Sequence, residues 1–152
     1  MIIEQFLVEA KVNTYASSGE GGEKNLEDGS KELVFEKEEF KYRDRYFGHN
    51  SFIGEEVVWE NGKVVWGMNY YGRITETLTT EQETQFLQFL QNALRQVPET
   101  NPYRGPNKLE DGEFKYVNEN TGTIEDFKGT ETIFYQNKEI YRLNYNGGAV
   151  EK

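Results

Sequence analysis

The sequence aligns with itself, and this constrains the fold more than anything else in it. Shifted by 75 positions, residues 52–72 lie on 127–147 without a gap. Seven of those 21 columns are identical: Phe52/Phe127, Gly54/Gly129, Glu56/Glu131, Lys63/Lys138, Asn69/Asn144, Tyr70/Tyr145 and Gly72/Gly147. Five more keep their character, among them Val58/Ile133 and Trp66/Tyr141. With gaps the match extends upstream. Glu39-Phe40-Lys41-Tyr42 returns as Glu113-Phe114-Lys115-Tyr116, and Leu26-Glu27-Asp28-Gly29 as Leu109-Glu110-Asp111-Gly112. Gln5-Phe6-Leu7 and Ala10 return as Gln88-Phe89-Leu90 and Ala93. A long unit seen only twice is not a solenoid. It predicts an α+β fold, with two pseudo-symmetric helix-plus-antiparallel-sheet halves, about 2–74 and 85–150, forming one domain over 1–152. One half alone would expose an apolar sheet face, and pairing the halves buries it.

Local patterns supply the elements. Ile2, Ile3, Phe6, Leu7 and Ala10 recur at helical spacing and predict a helix over 2–12. Residues 17–31 read as a mobile loop. Leu33 and Phe35 mark a short strand, which the second half lacks and which belongs at a sheet edge. Phe40, Tyr42, Asp44 and Tyr46 share one face of the next strand. Two β-rich runs, 52–60 and 63–71, flank Asn61-Gly62, the preferred pair for a two-residue hairpin because both positions need φ > 0. A second helix starts near Thr80, which Glu83 can complete as a capping box, and Pro98 stops it. Pro98, Pro102 and Pro106 predict a stiff, extended connection. Strands follow near 113–119, 127–135 and 138–146, the last two turning at Gln136-Asn137.

Composition limits function by exclusion. With 27 acids against 17 bases the net charge is −10, which opposes binding to a phosphate backbone. Neutral or cationic molecules and basic protein surfaces are the expected partners. There is no cysteine, hence no disulfide, thiolate metal site or thiol chemistry. No run approaches the ~18 apolar residues of a membrane span, and the N-terminus lacks a signal-peptide pattern, so a cytoplasmic location is expected. Ten Phe, ten Tyr and two Trp provide rings enough for a sheet core and argue against disorder.

The candidate site is a set of six residues: Glu56, Glu131, Trp66, Tyr70, Tyr145 and Arg104. Glu56 and Glu131 each share a strand face with a Phe, a Gly and a β-branched aliphatic, and a carboxylate there needs a partner. That partner is either a protein donor bracing the sheet or a ligand. Trp66, Met68 and Tyr70 share one face, as core or as a ring-lined pocket. Tyr103-Arg104-Gly105-Pro106 reads as a rigid turn whose Arg can reach Glu56 or Glu131. His49, the single histidine, has no nucleophile patterned beside it and reads as a solvated loop residue. Lys41, Arg43 and Arg45 share a strand face and read as a solvated surface pairing with nearby acids. No residues are assigned to catalysis, to a metal or to a cofactor.

Three strings, F-K-Y-R-D-R-Y-F-G (40–48), G-E-E-V-V-W-E-N-G-K-V-V-W-G-M-N-Y-Y-G (54–72) and N-P-Y-R-G-P (101–106), resemble a family of uncharacterised bacterial domains. Members occur alone or appended to helix-turn-helix regulators of the Xre type. The resemblance implies a soluble bacterial domain with a regulatory or sensory role. Only the appended domain is expected here, since no DNA-reading module precedes the first helix. The two-half architecture is also similar to gyrase-inhibitor-like effector-binding domains, an analogy of architecture alone.

Together these readings give a non-catalytic small-molecule-binding or sensing domain with a cleft between the halves. An acidic antitoxin- or immunity-like protein masking a basic partner is the alternative, and a carboxylate-dependent hydrolase the third. An enclosed pocket, a flat acidic face, or two convergent carboxylates in a groove would favour each in turn.

Overall fold

The computed structural model describes residues 1–14 and 23–151. The chain runs α1 (Ile3–Asn13), β1 (Lys24–Asn25), β2 (Lys31–Lys37), β3 (Phe40–Gly48), β4 (Phe52–Glu60), β5 (Lys63–Ile74), α2 (Thr80–Leu94), β6 (Lys108–Asp111), β7 (Phe114–Thr123), β8 (Asp126–Tyr135) and β9 (Lys138–Ala149). Among the described residues the strands form one nine-stranded antiparallel sheet in the order β1-β2-β3-β4-β5-β9-β8-β7-β6.

This corrects the expected fold class. Among the described residues strand accounts for 52% and helix for 18%, and the chain does not divide into two helix-plus-sheet halves. The reason lies at the centre of the sheet, where β5 and β9 hydrogen-bond along nine registered pairs from Trp66↔Ala149 to Ile74↔Tyr141. An edge strand presents unpaired N–H and C=O groups, and joining two such edges satisfies both. The two meanders therefore merge into a single sheet with a single core. Alternation announces strands but not which strand edges meet.

Within that sheet the 75-residue offset carries β4 onto β8 and β5 onto β9, including the register shifts at Val58/Trp59 and Ile133/Phe134. Tyr70 and Tyr145 are direct partners at the β5–β9 seam. Both hairpins turn through left-handed pairs, Asn61 (φ 51) with Gly62 (φ 79) and Gln136 (φ 50) with Asn137 (φ 64). This is the geometry that matches the right-handed twist of the flanking strands.

One sheet face is covered. Phe6 of α1 stacks on Phe40 at 4.9 Å and contacts Phe35 at 5.8 Å. Phe89 of α2 stacks on Phe114, and Phe86 meets Tyr141, both at 5.1 Å. Between the helices, Tyr103 from the 95–107 connection lies flat on Phe127 at 3.8 Å and 7°. That connection is a series of turns, not the extended segment expected from its prolines, and it carries Tyr103 and Arg104 into the core. The cap of α2 forms one residue earlier than expected, with Thr79 and Gln82 as the reciprocal pair. Strand β2, which holds Leu33 and Phe35, is not the sheet edge as expected, because β1 pairs with its outer side and takes that place. Of the expected 17–31 loop, residues 17–22 lie outside the described residues.

Two mid-strand glycines follow from the packing. A Cβ on Gly54 would stand 2.3 Å from the Tyr70 hydroxyl, and one on Gly129 would stand 2.2 Å from the Tyr145 ring. Each ring lies across the strand at its glycine.

Candidate functional site

The covered face holds more polar and charged groups than its apolar pattern suggests. Lys11, Asp44, Glu56, Arg104, Asn118 and Glu131 are all buried. A buried charge must be paired and hydrogen-bonded, and the second meander achieves this fully. Arg104 grips Glu131 with two bonds, Nε to Oε2 at 3.0 Å and Nη2 to Oε1 at 2.9 Å. The Tyr116 hydroxyl donates to Oε2 at 2.5 Å and the Tyr141 hydroxyl to Oε1 at 2.7 Å. Tyr116 in turn accepts the Gly105 N–H at 2.8 Å. Asn118 donates to the Gly105 carbonyl at 3.1 Å and accepts from the Tyr145 hydroxyl at 2.6 Å. The connection is thus latched to β8 by the Arg104 side chain and to β7 by the Gly105 backbone, while Tyr141 and Tyr145 of β9 bond the same partners, Glu131 and Asn118.

The first meander repeats this pattern with different chemistry. Tyr70 donates to Asp44 at 2.6 Å, as Tyr145 does to Asn118. Glu56 faces Asp44 across the β3–β4 ladder. Its cation is Lys11, 2.7 Å away at Oε1. That contact is an ion pair outside hydrogen-bond geometry, and the Lys11 ammonium donates its hydrogen bond to the Tyr103 carbonyl at 2.5 Å. Burial raises the Asp44 carboxyl to about 7, reinforced by the Glu56 charge and opposed by the Tyr70 bond, Lys11 and Arg104. Burial lowers the Lys11 ammonium, against the pull of Glu56. Burial likewise lifts the Tyr42, Tyr70 and Tyr116 hydroxyls well above their usual range. A void of about 20 Å³ remains between Lys11, Asp44, Glu56 and Arg104, the room of a single water.

Above this cluster opens a half-enclosed cleft of about 400 Å³ between α2 and strands β3–β5. Phe52, Tyr70, Phe86 and Leu90 give it apolar surface, and Arg104 reaches it from the connection. The Arg104 guanidinium lies 5.8 Å from the Tyr70 ring centre. Tyr46, hydrogen-bonded to Glu23, and Lys31 add polar groups of both signs. The size falls within the range of small-molecule sites, and so does the apolar lining with a few polar groups.

The six sequence candidates part company here. Tyr70 and Arg104 reach the cleft. Glu131 is sealed by Arg104, Tyr116 and Tyr141, and Glu56 is held by Lys11 below the cleft. Trp66 is buried, with its indole N–H donating to the Ile124 carbonyl at 3.1 Å. Tyr145 is buried against Asn118. His49 is exposed and meets Glu83 at 2.8 Å. Of the basic strand face, Arg45 pairs with Asp28, Lys41 with Glu36, and Arg43 lies over Trp59.

Sequence reading did not single out Lys11, Asp44 or Asn118 as partners, although signals for them existed. Lys11 stands four residues after Leu7, on the buried stripe of α1. Asp44 shares a face with Phe40 and Tyr42, the same anomaly that drew attention to Glu56. The Glu39–Tyr42 block, laid on Glu113–Tyr116, carries Asp44 onto Asn118.

Among the described residues no group of three or more His, Cys, Asp or Glu is placed to hold a metal, and no helix is long and apolar enough to cross a membrane.

The domain is thus an antiparallel sheet with one face closed by two helices and a latched connection, and with a half-enclosed cleft between α2 and β3–β5. The family model described as Domain of unknown function (DUF5680) matches residues 44–150, and the chain belongs to that family. Comparison with curated proteins found no significant match, and comparison with solved structures found none.

Proposed function

We propose that this is a non-catalytic, cytoplasmic bacterial sensing domain that binds a small, largely apolar molecule in the α2–sheet cleft. The observation that carries this reading is the cleft itself, about 400 Å³ with a floor of Phe52, Tyr70 and Phe86. The resemblance to domains appended to Xre-type regulators supports the sensory role. Asp44 and Glu56 do converge, as a hydrolase would need, but Asp44 is 3% and Glu56 2% exposed. A general base must reach its proton, directly or through one water, and these carboxylates lie beneath Tyr70.

A thermal-shift screen of metabolites tests the reading, using the intact protein and a Leu87→Trp variant. Leu87 lines the cleft and is 40% exposed, so an indole there narrows the cleft without disturbing the core. A ligand at ~100 times its Kd stabilises by about 2.7 kcal/mol. Compounds that raise the unfolding temperature of the native chain and fail with Leu87→Trp support the cleft. A screen without such compounds, or shifts indifferent to the substitution, overturns it.

A further inference from the structure

The uncovered face of the sheet carries a second feature, independent of the cleft. An open trough of about 680 Å³ crosses β4, β5, β9, β8 and β7. Registered pairs arrange its side chains in two rows. One runs Ile53–Tyr71–Asn144–Thr130–Glu119, and the other runs Asn69–Asn146–Lys128–Thr121. Neighbours in a row sit about 4.8 Å apart, and the rows are two residues, or about 7 Å, apart. The Tyr71 ring, 46% exposed, is therefore bordered by the amides of Asn69, Asn144 and Asn146.

Asparagine is depleted in strands, because its amide competes for backbone hydrogen bonds. Three on the open face of the two central strands run against that preference. Among the described residues, Asn69 and Asn146 make no side-chain hydrogen bond, and Asn144 only accepts one from Thr130, at 3.1 Å. The same sheet face behaves differently near β3, where Arg45 pairs with Asp28 and Arg43 covers Trp59. The trough thus concentrates amides with unused donors and acceptors around a half-exposed aromatic ring.

Charge narrows the ligand class. Within a chain of net charge −10, the trough contributes one Lys and one Glu, so it is neutral overall. A polyanion or a cation would call for a field of one sign. Each amide can donate and accept at once, which suits hydroxyl groups that do the same. A flat ring offers stacking area to an apolar C–H face. Hydroxyl-rich polarity with apolar ring faces and no net charge is the chemistry of sugars.

We propose that this trough is a carbohydrate-binding surface, with Tyr71 as the stacking platform and Asn69, Asn144 and Asn146 as the hydroxyl-reading groups.

The test is an array of neutral storage and cell-wall oligosaccharides, followed by NMR titration of the labelled protein with each oligosaccharide retained. Shifted amide signals should map to β5, β8 and β9. Tyr71→Ala should weaken binding by about tenfold or more, and Asn146→Ala should weaken it measurably. Both residues lie on the open face, so each variant should keep the native unfolding midpoint. Leu87→Trp, in the cleft, should leave sugar binding unchanged, which separates this surface from the cleft reading. Absence of binding to every oligosaccharide overturns the proposal, as does binding that survives both trough substitutions. Self-association abolished by Tyr71→Ala, without sugar binding, would overturn it in favour of a face for a second copy of this chain.

Discussion

Asp44 and Glu56 stand directly opposite each other in the β3–β4 ladder, both buried, with one ammonium, that of Lys11, held 2.7 Å from Glu56. The groups facing Asp44 come from every element packed on it: Glu56 from β4, Tyr70 from β5, Lys11 from α1 and Arg104 from the connection. With Glu131 this makes, among the described residues, three buried carboxylates for two buried cations. Burial and the Glu56 charge together raise the Asp44 carboxyl to about 7, so it takes up a proton far more readily than a solvated aspartate.

Asp44 should therefore weaken the fold as pH rises. An acid whose pKa is raised on folding holds its proton more firmly in the native state. Between 3.8 and about 7 the native state binds more protons than the unfolded one, so stability falls with rising pH across that window and levels off above it. Asp44→Asn removes the effect, and Asn118 already occupies the matching place in β7 beside Tyr145. The variant should gain on the order of 2–4 kcal/mol over the native protein at about pH 8, and much less at about pH 5. Urea unfolding at both pH values checks this. A variant less stable at the higher pH would show that the charged form of Asp44 is needed for Lys11 and Arg104.

Glu131→Gln should cost more than Glu56→Gln. Removing the Glu131 charge leaves Arg104 buried without its bidentate partner, and breaking a buried pair from one side typically costs about 3–5 kcal/mol. Glu56→Gln removes the charge partner of Lys11 but leaves its bond to the Tyr103 carbonyl, and the burial-lowered ammonium can lose its proton and soften the penalty. Chemical unfolding of the two variants at neutral pH gives the comparison. Equal losses would mean that the Arg104 latch adds nothing beyond an ordinary ion pair.

Much of this was legible in the sequence, for reasons that differ by residue. Asn61-Gly62 declares its hairpin because few other pairs accept two left-handed residues in a row. Glu56 and Glu131 stand out as carboxylates on apolar faces, and both are buried among polar partners. The expectation that Arg104 reaches a carboxylate is met at Glu131. The single sheet was not legible, because the β5–β9 pairing joins Tyr70 to Tyr145 across 75 positions and leaves no local trace. Lys11 was hidden because a long side chain at the end of a short amphipathic helix ordinarily reaches water, and here it points inward to Glu56 and Tyr103.

Trp66→Ala should destabilise the domain by about 3–5 kcal/mol, the usual range for aromatic truncation in a core. Trp66 is 1% exposed and stacks on Phe127 at 5.7 Å, and Phe127 carries Tyr103 on its ring. Losing the indole also leaves the Ile124 carbonyl without its donor. Thermal unfolding measures the loss, and an unchanged midpoint would place Trp66 outside the core.

Gly54→Ala and Gly129→Ala test the packing that aims the two seam tyrosines. At Gly54 the added methyl would meet the Tyr70 hydroxyl at 2.3 Å, and at Gly129 the Tyr145 ring at 2.2 Å, so each ring must move. Overpacking of this kind costs about 1–3 kcal/mol. The two variants should nevertheless differ in pH response. Displacing Tyr70 takes away the hydrogen bond that lowers Asp44, so Gly54→Ala should move the Asp44 titration upward. Displacing Tyr145 disturbs only its bonds to neutral amides, and Gly129→Ala should leave that titration in place. NMR titration of the Asp44 carboxyl carbon follows both. Identical titrations in the two variants would show that Tyr70 does not set the Asp44 proton, and the charge balance with Lys11 and Arg104 would then account for it alone.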